Sequence, residues 1–182
     1  QVIDRVGAAC RQGRQAYWVC PLIEESDALE ANAAEVTAEQ LASALPDLRI
    51  GLLHGRVSGA LKAEIMADFA ANNLDILVAT TVIEVGVDVP NASMMIIENA
   101  ERFGLAQLHQ LRGRVGRGAV ESHCLLIYQG PLSHTARERL SVMKASQDGF
   151  VIAEKDLKIR GPGEVLGTRQ TGVSSFRVAR LP

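Results

Sequence analysis

ILVATTVIEVGVDVP (residues 76–90), NASMMIIENAERFG (91–104) and LAQLHQLRGRVGRG (105–118) run consecutively and organise the chain. Two short apolar runs, Ile76 to Ala79 and Met94 to Ile97, are each bounded by turn residues. Runs of this length suit strands buried on both faces of a parallel sheet. Ligands of such sheets sit beyond the carboxyl ends of the strands. Thr80, Thr81 and Glu98 therefore fall where chemistry is expected. After Gly104 the spacing predicts a helix. At roughly 100° per residue it carries Leu105, Leu108, Leu111 and Val115 on one side. Gln107, Gln110, Arg114 and Arg117 share another side, and Arg112 lies off that polar face. The arginine fork is always charged and matches phosphate. The face reads either as a solvated basic surface or as a site for an anion. Glycine in a helix costs about 1 kcal/mol relative to alanine. Gly113, Gly116 and Gly118 beside the arginines thus favour close backbone approach. Arg114 and Arg117 are expected in open solvent at the carboxyl edge of the sheet.

Outward from this stretch, strands and helices alternate, which predicts an α/β fold with a parallel sheet and right-handed crossovers. Residues 1–13 read as an entering helix and Gln15–Cys20 as a strand ending at Pro21. Asp27 and Glu30 have the spacing of a capping box for a helix that runs to about Leu45 and stops at Pro46. Leu48–His54 reads as the next strand. Ser58 can cap a helix whose Leu61, Ile65 and Phe69 share a face and which Asn72 and Asn73 end. Asp75–Ala79, Ser93–Glu98 and Ser122–Tyr128 complete the strands. From Ser133 the pattern changes to two helices, Ser133–Ser146 and Phe150–Arg160, with Gly149 as the turn. Gly161–Gly172, dense in Gly, Thr and Arg, reads as an exposed functional loop or a frayed tail.

A chain of 182 residues, 47% hydrophobic, can fill one core with a small appendage. The division is expected near residue 130, with 131–182 as the appendage. The formal net charge is −2, so any nucleic-acid contact must come from local clusters. Cys10, Cys20 and Cys124 form no CxxC pair and read as buried free thiols. No signal peptide and no apolar run near 18 residues occurs, so a soluble cytoplasmic protein is expected. The chain starts without methionine and mid-pattern, as a fragment would. His109, His123 and His134 share no ligand spacing, and no metal site is expected. There is no GxxxxGK[ST], no DExH or DExD box after a strand, and no GxGxxG opening a helix. The chain alone is therefore not expected to hydrolyse ATP.

Gln110-Leu-Arg-Gly-Arg-Val-Gly-Arg117 resembles motif VI of the second helicase superfamily, and Thr80 to Asp88 resembles motif V. The resemblance covers essentially the whole chain. It implies a RecA-like, three-layer fold of the P-loop NTPase type, followed by a helical hairpin and loop. It further implies the C-terminal motor half of an ATP-dependent translocase that remodels replication forks and Holliday junctions. ATP and Mg²⁺ would be held mainly by an absent N-terminal motor domain, which with a wedge domain would be its partner within one longer chain. Arg117 would be the arginine finger and Arg114 a second phosphate or coupling contact, with Gln110 sensing the nucleotide. Gly86 and Asp88 would form the turn that links nucleotide to DNA. A translocase grips phosphates and ignores bases. The family assigns that work to Thr80 and Thr81, to His54, Gly55 and Arg56 of motif IV, and to Arg169 and Gln170 of the loop. By residues alone, His54 could equally cap a strand, and the threonines could be an ordinary strand end. Val57–Ala60 is looser than the family pattern, which leaves open where the next helix starts. Two other functions compete. One is the equivalent domain of the transcription-repair coupling factor, which RNA polymerase would recruit. The other is a non-catalytic binding module, against which the intact arginine pair argues.

Overall fold

The computed structural model describes residues 1–21, 27–80, 89–116 and 121–160, with 27–30 and 160 by backbone alone. The helices are α1 (Val2–Arg11), α2 (Asp27–Ala44), α3 (Gly59–Ala70), α4 (Leu105–Arg112), α5 (His134–Ala145) and α6 (Gly149–Arg160). The strands are β1 (Gln15–Val19), β2 (Ile50–Leu53), β3 (Ile76–Ala79), β4 (Ala92–Ile97) and β5 (His123–Leu126). They form one parallel sheet in the order β2-β3-β1-β4-β5. Every residue of β1, β3 and β4 is buried, as unbroken apolar runs require.

Alternation along the strands divides the core. Ala16, Trp18, Ile76, Val78 and Ile96 pack with α1 and α2 on one face. Tyr17, Leu77, Met95 and Ile97 pack with α3, α4, α5 and α6 on the other. The path from β1 to β2 moves outward past β3, whereas β2 to β3 and β4 to β5 run the other way. Crossovers of a single hand, normally right, then put α2 opposite α3 and α4.

Leu105, Leu108 and Leu111 are buried together, as their spacing predicts. Ser58 caps α3 by accepting a hydrogen bond from Leu61 N at 3.4 Å, which sets the helix start at Gly59. The buried face of α3 is carried by Met66 and Phe69 with Ile65 partly covered, whereas Leu61 is 46% exposed. Leu61 lies in the first turn of α3, so the face it shares with Ile65 and Phe69 is buried only towards the helix's later turns. Gly149 is the first residue of α6 rather than the turn, and Asp148 accepts from Phe150 N at 2.8 Å there. The Asp27–Glu30 capping box and the Gly161–Gly172 loop lie outside the described side chains. Burial pushes the Cys10 and Cys124 thiols up to about 11 and Cys20 up to about 12, so all three stay protonated and unreactive.

Gln15, fully buried at the start of β1, donates to Phe69 O at 2.7 Å and Leu74 O at 2.6 Å. It thereby satisfies the carbonyls at the end of α3 and before β3. Gln15→Leu keeps the volume and orphans both carbonyls. A loss of about 2–4 kcal/mol is expected in denaturant unfolding.

Candidate nucleotide- and DNA-facing edges

Two parts of the predicted site are described, and they lie at opposite edges of the sheet. The first is the turn after α4. The helix ends at Arg112, earlier than the wheel projection assumes. Gly113 N donates to His109 O, and Arg114 N to Leu111 O, each at 3.0 Å. Arg114 therefore stands on a tight turn rather than on a helix face. Val115 is 8% exposed and anchors the turn in the apolar core. Gly116 has φ +90, and a Cβ there would lie 2.6 Å from Ser122 Oγ. Only glycine fits both constraints. Gly116→Ala is expected to cost about 1–3 kcal/mol, read as a lowered melting temperature.

Ser122 immediately precedes β5, so the contact with Gly116 sets this turn at the amino edge of the parallel sheet. That differs from the expected carboxyl edge. The reason is topological: α4 carries the chain back from the end of β4 to the start of β5. Arg114 is partly exposed, and its guanidinium has no carboxylate partner among the described residues. Gln110 is exposed on α4. Gln107 departs from its expected place among the anion-facing groups, because its Oε1 accepts from Gly104 N at 2.9 Å and caps the helix. A cavity of about 510 Å³ opens beside the turn, lined in part by His109, Arg112, Gly116, Ser122 and Lys144.

Arg112 has a role that the sequence did not disclose. Its Nη1 donates to Met143 O at 3.0 Å and Ser146 O at 2.7 Å, the last carbonyls of α5. Its Nη2 lies 3.2 Å from His109 Nδ1. Gly149 lets α6 approach the same histidine, since a Cβ there would meet His109 Nε2 at 3.1 Å. A basic side chain near exposed helix-end carbonyls would have been the only sequence signal.

The second part is the carboxyl edge. Strand register aligns His54, Thr80, Cys20 and Glu98 as successors of the paired residues Leu53, Ala79, Val19 and Ile97. Gly55 and Arg56 are exposed in the turn that follows His54. Thr80 is fully buried, and its hydroxyl has no hydrogen-bond partner among the described residues. Glu98 Oε1 accepts from Trp18 Nε1 at 2.9 Å, which gives this carboxylate a structural partner. The expected site residues Thr81, Gly86, Asp88, Arg117, Arg169 and Gln170 lie outside the described residues.

A parallel, three-layer α/β fold with two further helices packed on α4, and an arginine without a carboxylate partner among the described residues on a glycine turn, defines a class. The chain belongs to the helicase conserved C-terminal domain family, whose model matches residues 1–119. A second model, described as ATP-dependent DNA helicase RecG, domain 3, C-terminal, matches residues 146–180. The chain is 68% identical over 181 residues to ATP-dependent DNA helicase RecG of Escherichia coli (strain K12), covering 99% of this chain and 26% of that protein. It is 65% identical over 182 residues to RecG of Pasteurella multocida (strain Pm70), covering 100% of this chain and 26% of that one. It is similar to the solved structure of RecG bound to a three-way DNA junction, with TM-score 0.76 and 49% identity, covering 90% of this chain and 21% of the other. The chain thus spans about a quarter of the length of the curated relatives it matches. Among the described residues no helix is long and apolar enough to cross a membrane.

Proposed function

We propose that this chain is the C-terminal motor half of an ATP-dependent double-stranded DNA translocase that acts on branched DNA, in replication fork reversal, Holliday junction migration and repair. Residues 1–130 are the second RecA-like domain, and 131–182 are the helical hairpin and translocation loop. The observation that carries the proposal is Arg114, partly exposed and without a carboxylate partner among the described residues, on a turn held by buried Val115 and by Gly116 at positive φ. A non-catalytic grip needs no such fixed cation. RecG-like sequence through residues 146–180 favours this motor over the transcription-repair coupling factor.

ATP, with Mg²⁺, supplies a transferable phosphoryl group whose developing charge needs cations. The amino-edge turn fits that need, because an arginine on a fixed turn, without a carboxylate partner among the described residues, is available to an anion. Arg117 acts as the finger, Arg114 as a second contact, and Gln110 as the nucleotide sensor, with Gly86 and Asp88 forming the linking turn. Both ligands are held mainly by the N-terminal motor portion of the full-length cytoplasmic protein, and a wedge domain of that chain meets the branch. The carboxyl edge grips phosphates through Thr80, Thr81, His54, Gly55 and Arg56, together with Arg169 and Gln170 of the loop.

The full-length protein is expected to separate the arms of a three-way junction in an ATP-dependent manner, whereas this chain alone turns over no ATP. Mixing the chain with its N-terminal portion should restore DNA-stimulated hydrolysis. Failure of the full-length protein on junctions, or a requirement for RNA polymerase, would overturn the proposal.

A further inference from the structure

Two polar atoms on neighbouring strand ends are buried without partners among the described residues: His54 Nδ1 and Thr80 Oγ1. Leu53 and Ala79 are paired in the sheet, and Thr80 N donates to Leu53 O at 3.1 Å. His54 and Thr80 are thus the next pair in register, and alternation turns both toward the face that α2 covers. From α2, Glu35 Oε1 approaches His54 Nε2 at 3.5 Å. The His54 side chain is 12% exposed and that of Glu35 is 48% exposed. Buried polar atoms are almost always paired, so two orphans side by side point to a partner that arrives from outside.

We infer that Glu35 is a positioning residue, whose carboxylate holds the His54 ring so that Nδ1, beside the Thr80 hydroxyl, is presented to a phosphate oxygen of the DNA backbone. The inference rests on the DNA-motor function proposed above. The 3.5 Å approach places the Glu35 carboxylate at Nε2 and leaves Nδ1 as the ring atom without a partner among the described residues. An imidazolium would donate through both nitrogens, to Glu35 and to the phosphate. The Glu35 charge balances the imidazolium, and the Thr80 hydroxyl offers a second donor to the same anion. Among the described residues no other charged group is paired with the His54 ring.

The sign of one substitution tests this. By charge alone, removing a carboxylate near DNA strengthens binding. Glu35→Ala in the full-length protein is instead expected to weaken duplex binding about tenfold, as loss of a charge-assisted hydrogen bond would. The slope of log K against log salt should become shallower by about 0.9, one phosphate contact. The DNA concentration for half-maximal ATP turnover should rise by the same factor, with a much smaller change in kcat. Glu35→Gln, which keeps the shape and drops the charge, should weaken binding in the same direction. Glu35→Ala combined with His54→Ala should bind no worse than His54→Ala alone. Binding by Glu35→Ala as tight as wild type or tighter, or full additivity in the double variant, would overturn the inference. A wild-type protein without DNA-stimulated turnover would instead overturn the motor function itself.

Discussion

Arg117→Ala in the full-length protein is expected to lower DNA-stimulated ATP turnover by about 10³–10⁵, the range of an arginine finger. That corresponds to roughly 4–7 kcal/mol of transition-state stabilisation. The effect is large because the proposed finger would meet charge that develops only as the phosphoryl group moves. Duplex binding should remain near wild type, since the proposed phosphate grip lies at the carboxyl edge, across the sheet from the Gly116 turn. Turnover at saturating DNA and binding by titration, measured together, separate the two. Near-normal turnover would remove Arg117 from the nucleotide site. Arg114, two residues before the buried-to-open transition at Gly116, gives a second comparison. Arg114→Lys keeps the charge and loses the fork, and a partial loss of turnover is expected.

Arg112→Ala is expected to be among the most damaging changes outside the strands. The guanidinium closes two carbonyls at the end of α5, Met143 O and Ser146 O, and lies against His109. Each hydrogen bond to a charged group contributes about 1.5–3 kcal/mol, so a loss of about 3–6 kcal/mol is expected from the two. Arg112→Lys should recover little, because one ammonium cannot span both carbonyls in the fork geometry. Hydrogen exchange offers the sharper readout. Amides of α5 and of the α6 start should lose protection in Arg112→Ala while those of β1 and β3 keep theirs. Uniform loss across the sheet would show that Arg112 supports the whole core rather than the attachment of the hairpin to α4.

The sheet was legible because its signal is long and redundant. Ile76–Ala79 and Met94–Ile97 are apolar throughout, and burial on both faces leaves no other place for them. The leucines of α4 were legible for the same reason. What escaped was set by where elements end. Continuing the helical wheel past Arg112 assigned Gln107 and Arg114 to one surface, whereas the helix stops and Gln107 turns back to cap it. The edge on which Arg114 falls depends on the return path of α4, which periodicity does not encode. Arg112 is bonded to residues 31 and 34 positions away, and Glu35 meets a histidine on another strand end. Contacts of that kind leave no local pattern. The Leu61 exposure has a related cause, since a face counted from one helix does not reveal how far its neighbour extends.

The placement of two chemically distinct rims on one slab of strands has a mechanical consequence. β1, β3 and β4 are packed on both sides with no exposed residue, so they resist bending. A four-residue strand spans about 13 Å. A tug delivered at the Gly116 rim must then swing the entire plate, and the far rim travels with it like the opposite end of a stiff paddle. In the proposed motor, the stroke length would accordingly be governed by how far this body pivots against the N-terminal portion, and stiffening or loosening a single loop should alter timing more than distance.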